Sequence, residues 1–363
     1  MSKFLKIGVV ALIISSFFTS CNEEIPDLYP SEQVKGAYII NYGNYGSGGS
    51  TISKYNYETD EITNNYYFNQ NDGFELLSNI QFAYEYKDSI YLLTNSSDQL
   101  ITVNPLFQQT VNGISSPQLA KPRFCIGKDD FLYITCWGEN PDWSEMSDTY
   151  ITKFNVKTNQ VEKTYPMPGG PEGLAIVNDQ LYVALNYKDS IAVINLKTEA
   201  ISYIATPAVS SYLLKDGNNN LYATQVSTWT DYSAETGLAY INTSSNQYVK
   251  TFPLEGVSSE YGSIISATTD FSAIYVLATQ YDENWNLSGA VYQFDVSKET
   301  YSEVITGISG PKGVSVNPKD NKVYLFTSES VTEGGMLKIY SSDGVKENEF
   351  VTGIYPFMAL YLE

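Results

Sequence analysis

A tyrosine flanked by apolar residues recurs seven times, at Tyr38, Tyr91, Tyr133, Tyr182, Tyr222, Tyr275 and Tyr324, with spacings of 53, 42, 49, 40, 53 and 49 residues. A second marker follows in the same order. KYN, TVN, KFN, VIN, YIN and QFD end at Asn56, Asn104, Asn155, Asn195, Asn242 and Asp295, and the seventh copy, KIYSSDG, is degenerate. The cleanest copy runs from Pro171 to Thr206 and holds four short apolar runs parted by Asn178-Asp179, Tyr187-Lys188-Asp189 and Lys197-Thr198-Glu199. Runs of β-branched and aromatic residues bounded by such turn formers are strands joined by tight hairpins. One unit of this kind cannot bury both of its faces. About seven in series predict an all-β, seven-bladed β-propeller of four-stranded antiparallel blades.

The two ends of the repeat are out of phase. The chain enters the pattern at Gly36 on a second strand, with no first strand before it. It closes on TGIYPFMALYLE, a copy of the first-strand segment TGISGPKGVSVNP. The residues near Pro356 to Leu362 are therefore expected to pair beside Ala37–Asn41, closing the ring and removing two exposed sheet edges. Proline opens several innermost strands, at Pro122, Pro171, Pro311 and Pro356, where no ladder donor is needed.

Residues 1–20 stand apart from the fold. Lys3 and Lys6 precede an apolar run from Ile7 to Phe18, then Thr19-Ser20 and Cys21. This is the pattern of a signal peptide. Cys21 directly after the cut resembles a bacterial lipobox, with Phe18 in place of the usual Leu, and marks Cys21 for lipidation. An ordinary signal peptide with an incidental Cys is the alternative. Residues 21–35 are acidic, carry Pro26 and Pro30 and lack periodicity. They read as a tether spanning at most about 45–50 Å. Residues 36–363 form the single propeller domain.

The net charge of −20, from 21 basic and 41 acidic residues, argues against nucleic acid as a partner. The absence of histidine removes Ser-His-Asp triads, imidazole acid–base chemistry and most transition-metal ligation. Cys125 and Cys136 flank one predicted hairpin without facing each other, which favours two buried free thiols over a disulfide.

The strand order puts the second-to-third-strand loops on one face. Several are long, and they hold all four tryptophans: Trp137, Trp143, Trp229 and Trp285. Tyr42, Tyr45, Tyr187, Tyr232 and Tyr281 join them. Aromatics in loops are not needed for the core, so this set is a candidate ligand-binding rim, with loop amides and hydroxyls beside it. The competing reading is that they pack over blade ends. Residues just after the first-strand prolines, Arg123, Glu172, Lys312 and Phe357, are expected to line the channel mouth. No catalytic motif appears. Asp142, Glu145 and Asp148 could hold Ca²⁺ but lack regular loop spacing. No metal or cofactor is assigned.

The mature chain resembles the YncE-like surface propellers of Bacteroides-type bacteria, and within them the cobalamin-capturing lipoproteins of the BtuG type. The likeness is carried by residues 36–56, the NDGFELLSNIQF segment (71–82), the TCWG loop (135–138) and the closing residues 352–363. Asn41-Tyr42-Gly43-Asn44 has Tyr where that family typically has Glu. Glu23-Glu24 resembles the acidic tag that sends such lipoproteins to the cell surface. The resemblance implies a non-enzymatic, lipid-anchored outer-membrane protein that faces the cell exterior. It would capture cobalamin or another corrinoid and pass it to a TonB-dependent transporter. A surface glycan- or peptide-binding propeller is the alternative. A metal-dependent lactonase is a third reading, with Glu172 and Glu260 as its candidate inward carboxylates.

Overall fold

The computed structural model describes residues 34–44, 47–226, 236–257, 259 and 264–362. Seven four-stranded antiparallel sheets make the blades of a propeller. Counted from the blade that holds Gly36–Asn41, the innermost strands are Pro356–Leu362, Asn79–Tyr86, Pro122–Lys128, Pro171–Val177, Leu213–Lys215, Ile264–Ala267 and Pro311–Val316. The predicted closure is present. Pro356–Leu362 pairs antiparallel with Gly36–Asn41, placing Leu360 opposite Tyr38 and Ala359 opposite Ile39. The first blade thus draws strands from both ends of the chain, and the ring has no open edge.

All seven marker tyrosines lie in second strands and are buried. A buried ring needs a partner for its hydroxyl, and for two of the seven the next blade supplies it. Tyr182 donates to the Thr243 carbonyl (3.3 Å) and Tyr275 to that of Ser342 (2.9 Å), each in the outer hairpin of the next blade. The residue therefore fills the gap between blades and ties them together. Tyr38 instead donates to the Val34 carbonyl at 2.6 Å, and Val34 is itself buried, so close packing begins two residues before Gly36.

The second marker has an equally local cause. The side-chain oxygens of Asn56, Asn155, Asn195 and Asp295 each accept from two backbone amides of the hairpin that follows. Asn and Asp mimic a backbone carbonyl in such turns. In the degenerate seventh copy Ser341 takes the same role, its hydroxyl accepting from the Val345 amide.

One stretch departs from the repeat. The outer strand of the first blade is only Glu61–Thr63, and the chain then forms a short helix, α1 (Tyr66–Gln70). Tyr66 and Tyr67 are buried, Tyr66 meets Tyr38 edge-on at 5.4 Å, and Asn71 donates to the Phe107 carbonyl of the second blade at 2.8 Å. The helix fills the inter-blade gap that a longer strand would have filled. Among the described residues no helix is long and apolar enough to cross a membrane.

Cys125 and Cys136 are free and buried. Burial pushes the Cys136 thiol up to about 12, and raises Cys125 as well. Thiolate is the reactive form. Neither residue should be alkylated by iodoacetamide at pH 8 in the folded protein, and both should be alkylated once it is unfolded. Peptide mapping by mass spectrometry reads this directly, and rapid labelling of either in the native protein would contradict the burial.

Candidate functional site

The inner strands begin on the same face as the second-to-third-strand loops, so the channel mouth and the rim are one surface. Five inner strands carry a register break at the same place, just inside this face. It lies between Ile80 and Phe82, Pro122 and Phe124, Pro171 and Leu174, Pro311 and Gly313, and opposite Ile40/Asn41. The bulged residues are Gln81, Arg123, Glu172, Lys312 and Phe357. A bulge re-aims a side chain out of the pleat, and bulges recur at barrel rims for that reason. The four residues expected at the mouth therefore share one backbone device. Two of them are followed by glycine because the walls close in there. A Cβ on Gly173 would lie 2.6 Å from the Ser211 carbonyl oxygen, and one on Gly313 only 1.9 Å from that of Phe357.

On one side of the mouth, Arg123 Nη2 meets Glu172 Oε1 at 2.9 Å, with both side chains largely buried. Burial raises the Glu172 carboxyl, and Arg123 opposes that shift. The guanidinium also lies 4.1 Å from the Trp137 ring centroid, a close cation–π contact. Trp137 is 9% exposed and donates from Nε1 to the Pro171 carbonyl at 3.2 Å. Trp143 and Tyr187 stand edge-on to it at 5.7 and 6.2 Å. One loop tryptophan thus packs over the blade end and, in the same position, anchors an aromatic cluster.

On another side, Lys312 lies with its Nζ 4.6 Å from the Tyr355 ring centroid. Tyr42 packs against Tyr355 at 5.6 Å and Phe357 at 6.4 Å, and Tyr281 against Trp285 at 5.9 Å. The Tyr42 hydroxyl donates to Asn95 (3.2 Å), whose amide donates to Gln81 (2.8 Å), so the collar continues into the second blade. Burial pushes the Tyr212 hydroxyl up to about 12, with Glu172 and Tyr355 adding to the shift and Arg123 opposing it. Tyr355 is likewise pushed up to about 12 by burial, with Tyr281 and Tyr42 adding to it.

Among the described aromatics of the second-to-third-strand loops, Trp143 and Trp285 are exposed, at 61% and 71%. Tyr45, Trp229, Tyr232, Glu260 and Cys21 lie outside the described residues. The Asp142 carboxylate accepts from the Ser144 amide and hydroxyl, and Asp282 likewise holds the Asn284 and Asn286 amides, so both fold their own loops. Among the described residues no three His, Cys, Asp or Glu side chains gather as a metal site. Gln81, Asn95, Tyr212 and Tyr355 were not anticipated. Gln81 occupies the Arg123 position in a blade that lacks the proline flag, Tyr212 occupies the Phe124 position in another, and Tyr355 is the residue before Pro356.

The chain belongs to the family described as "Domain of unknown function (DUF5074)", which it matches over residues 35–361. No curated protein matches it. Among solved structures, a quinonprotein alcohol dehydrogenase-like protein of Bacteroides thetaiotaomicron superposes with a TM-score of 0.67 at 14% identity, over 91% of this chain and 79% of that one. A functionally unknown protein from Desulfotomaculum acetoxidans gives 0.62 at 14% identity, over 89% and 98%. A protein described as a candidate 6-phosphogluconolactonase from Bacteroides uniformis gives 0.62 at 12%, over 90% and 99%. The neighbours share the propeller fold and carry unknown or varied functions, and at these identities the likeness is one of fold.

Proposed function

We propose that this propeller is a non-enzymatic binding protein whose ligand sits at the channel mouth, with a corrinoid as the preferred ligand. The observation that carries the reading is the collar itself. Aromatic faces from Trp137, Tyr187, Tyr42 and Phe357, amides from Gln81 and Asn95, and two bulge-borne cations converge on one opening. A corrinoid is a broad ring with apolar edges and many amide arms, and such a surface offers it both stacking and hydrogen bonds. Glu172, the obvious inward carboxylate, is held by Arg123, so the reading assigns it to the wall of the site and includes no catalytic step.

The resemblance to the BtuG-type proteins extends this reading to the cell. There the protein is tethered through lipidated Cys21 to the outer membrane, faces outward, and delivers its ligand to a TonB-dependent transporter. The test is a titration of the intact chain with cyanocobalamin, followed by tryptophan fluorescence and calorimetry. Saturable quenching with heat at micromolar ligand or below is expected. No heat and no quenching would overturn the corrinoid reading, and a glycan-array signal in its place would move the ligand to a sugar.

A further inference from the structure

We propose that the mouth contains an anion subsite, built by the Lys312 ammonium with the Tyr355 and Tyr212 hydroxyls, and that its ligand carries one anionic group there. The inference rests on the reading that this mouth binds a ligand, and it adds the charge of that ligand and the residues that meet it.

The two mouth cations are not equivalent. Arg123 has its counter-charge in Glu172. Lys312 has none. Its ammonium rests over the Tyr355 ring, and no carboxylate among the described residues lies within ion-pair distance of it. Some lysines on the opposite face are matched, as in Lys87–Asp130 and Lys128–Asp179, both at 3.0 Å, whereas Lys319 there rests over the Tyr57 ring at 5.2 Å. An unmatched ammonium, partly desolvated, in a chain of net charge −20, is costly to keep without a purpose. The hydroxyls of Tyr355 and Tyr212 add to the case. Neither finds an acceptor among the described residues, and burial keeps both protonated to high pH, so both remain donors. An ammonium over the Tyr355 ring, with the Tyr355 and Tyr212 hydroxyls as further donors at the mouth, suits an acceptor-rich, negatively charged group. The flanking Tyr42 and Phe357 rings favour a ligand in which that anion adjoins a flat apolar body. Rim acids do not forbid it, since Asp142 and Asp282 are bound into their own loops and surface charge is screened over about 8 Å at physiological ionic strength.

The probe is anilinonaphthalene sulfonate, a flat aromatic body with one anion, set against the uncharged phenylnaphthylamine. With the intact chain, the sulfonate should bind saturably and weaken as salt rises. Lys312→Gln should weaken it at least about tenfold while leaving phenylnaphthylamine within about twofold, and Lys312→Arg should retain most of it. Lys319→Gln, on the opposite face, should change neither. If Lys312→Gln unfolds the protein, Tyr355→Phe supplies the second reading, with a severalfold loss for the sulfonate alone. Equal sulfonate affinity in Lys312→Gln, an equal loss for both probes, or no binding to the parent chain overturns the subsite. The cyanocobalamin titration is independent. A corrinoid that fails while the sulfonate responds to Lys312 refutes the corrinoid and keeps the anion site.

Discussion

Deleting residues 356–363 is expected to abolish the native fold rather than trim its end. The strand Pro356–Leu362 pairs along the whole of Gly36–Asn41, and its side chains enter two separate cores. Phe357, Met358, Leu360 and Leu362 pack with Tyr38, Ile40 and Ile80, while Ala359 and Tyr361 pack with Ile39, Tyr324 and Phe326. Four large apolar side chains at about 1.5–3 kcal/mol each amount to about 10 kcal/mol. That is comparable to the whole stability of a domain, about 5–15 kcal/mol. The deletion also bares both partners of the closing sheet, which invites edge-to-edge association. The truncated chain should show no cooperative melt by circular dichroism and should elute as aggregate. A melt within a few degrees of the parent would show that closure is dispensable. Gly313→Val offers a milder version, since its Cβ would collide with the Phe357 carbonyl and press the closing strand out of place.

The fold was legible because its causes are local and repeated. The marker tyrosine is demanded at each blade junction by the same packing problem, and the Asn, Asp or Ser at the end of each third strand by the amides of the hairpin that follows. A requirement met seven times leaves a period in the sequence. Even the out-of-phase ends were readable, because Pro356–Leu362 still carries first-strand chemistry. Helix α1 was not readable. It answers a single geometric accident, the short strand Glu61–Thr63, and nothing repeats it.

The site was legible only where it borrowed from the repeat. Arg123, Glu172, Lys312 and Phe357 could be placed at the mouth because a proline or its copy flags the strand start. The bulge that turns each of them leaves no sequence signal, being a matter of register between strands. Gln81 sits at the same structural position without the flag, Tyr212 sits one residue further along its strand, and both were missed. Pairing was also invisible. That Glu172 neutralises Arg123, forty-nine residues away, while Lys312 meets no carboxylate among the described residues depends on how neighbouring blades meet, not on spacing.

The rim tryptophans should separate into two kinds under mutation. Trp137→Ala is expected to lower both stability and binding. The ring is 9% exposed, its Nε1 is bonded to Pro171, and Arg123 stacks on it, so truncation leaves a cavity and frees a buried guanidinium. Losses of about 3–5 kcal/mol are usual for such a ring. Trp143 and Trp285 stand out in solvent at 61% and 71%. Their replacement by Ala should shift stability by no more than about 0.5 kcal/mol. If these faces meet the ligand, each should still weaken binding by about tenfold, or about 1.4 kcal/mol, and the pair by more. Thermal melts and calorimetric titration with cyanocobalamin separate the two quantities on the same samples. Should the double variant Trp143→Ala, Trp285→Ala bind as the parent does, the ligand lies wholly inside the collar and the exposed rim plays no part. Trp137→Phe then becomes the decisive variant. It keeps an aromatic face under Arg123 while removing the bond to Pro171 and part of the ring, so lost binding with a retained melt would place the ligand against Trp137 itself.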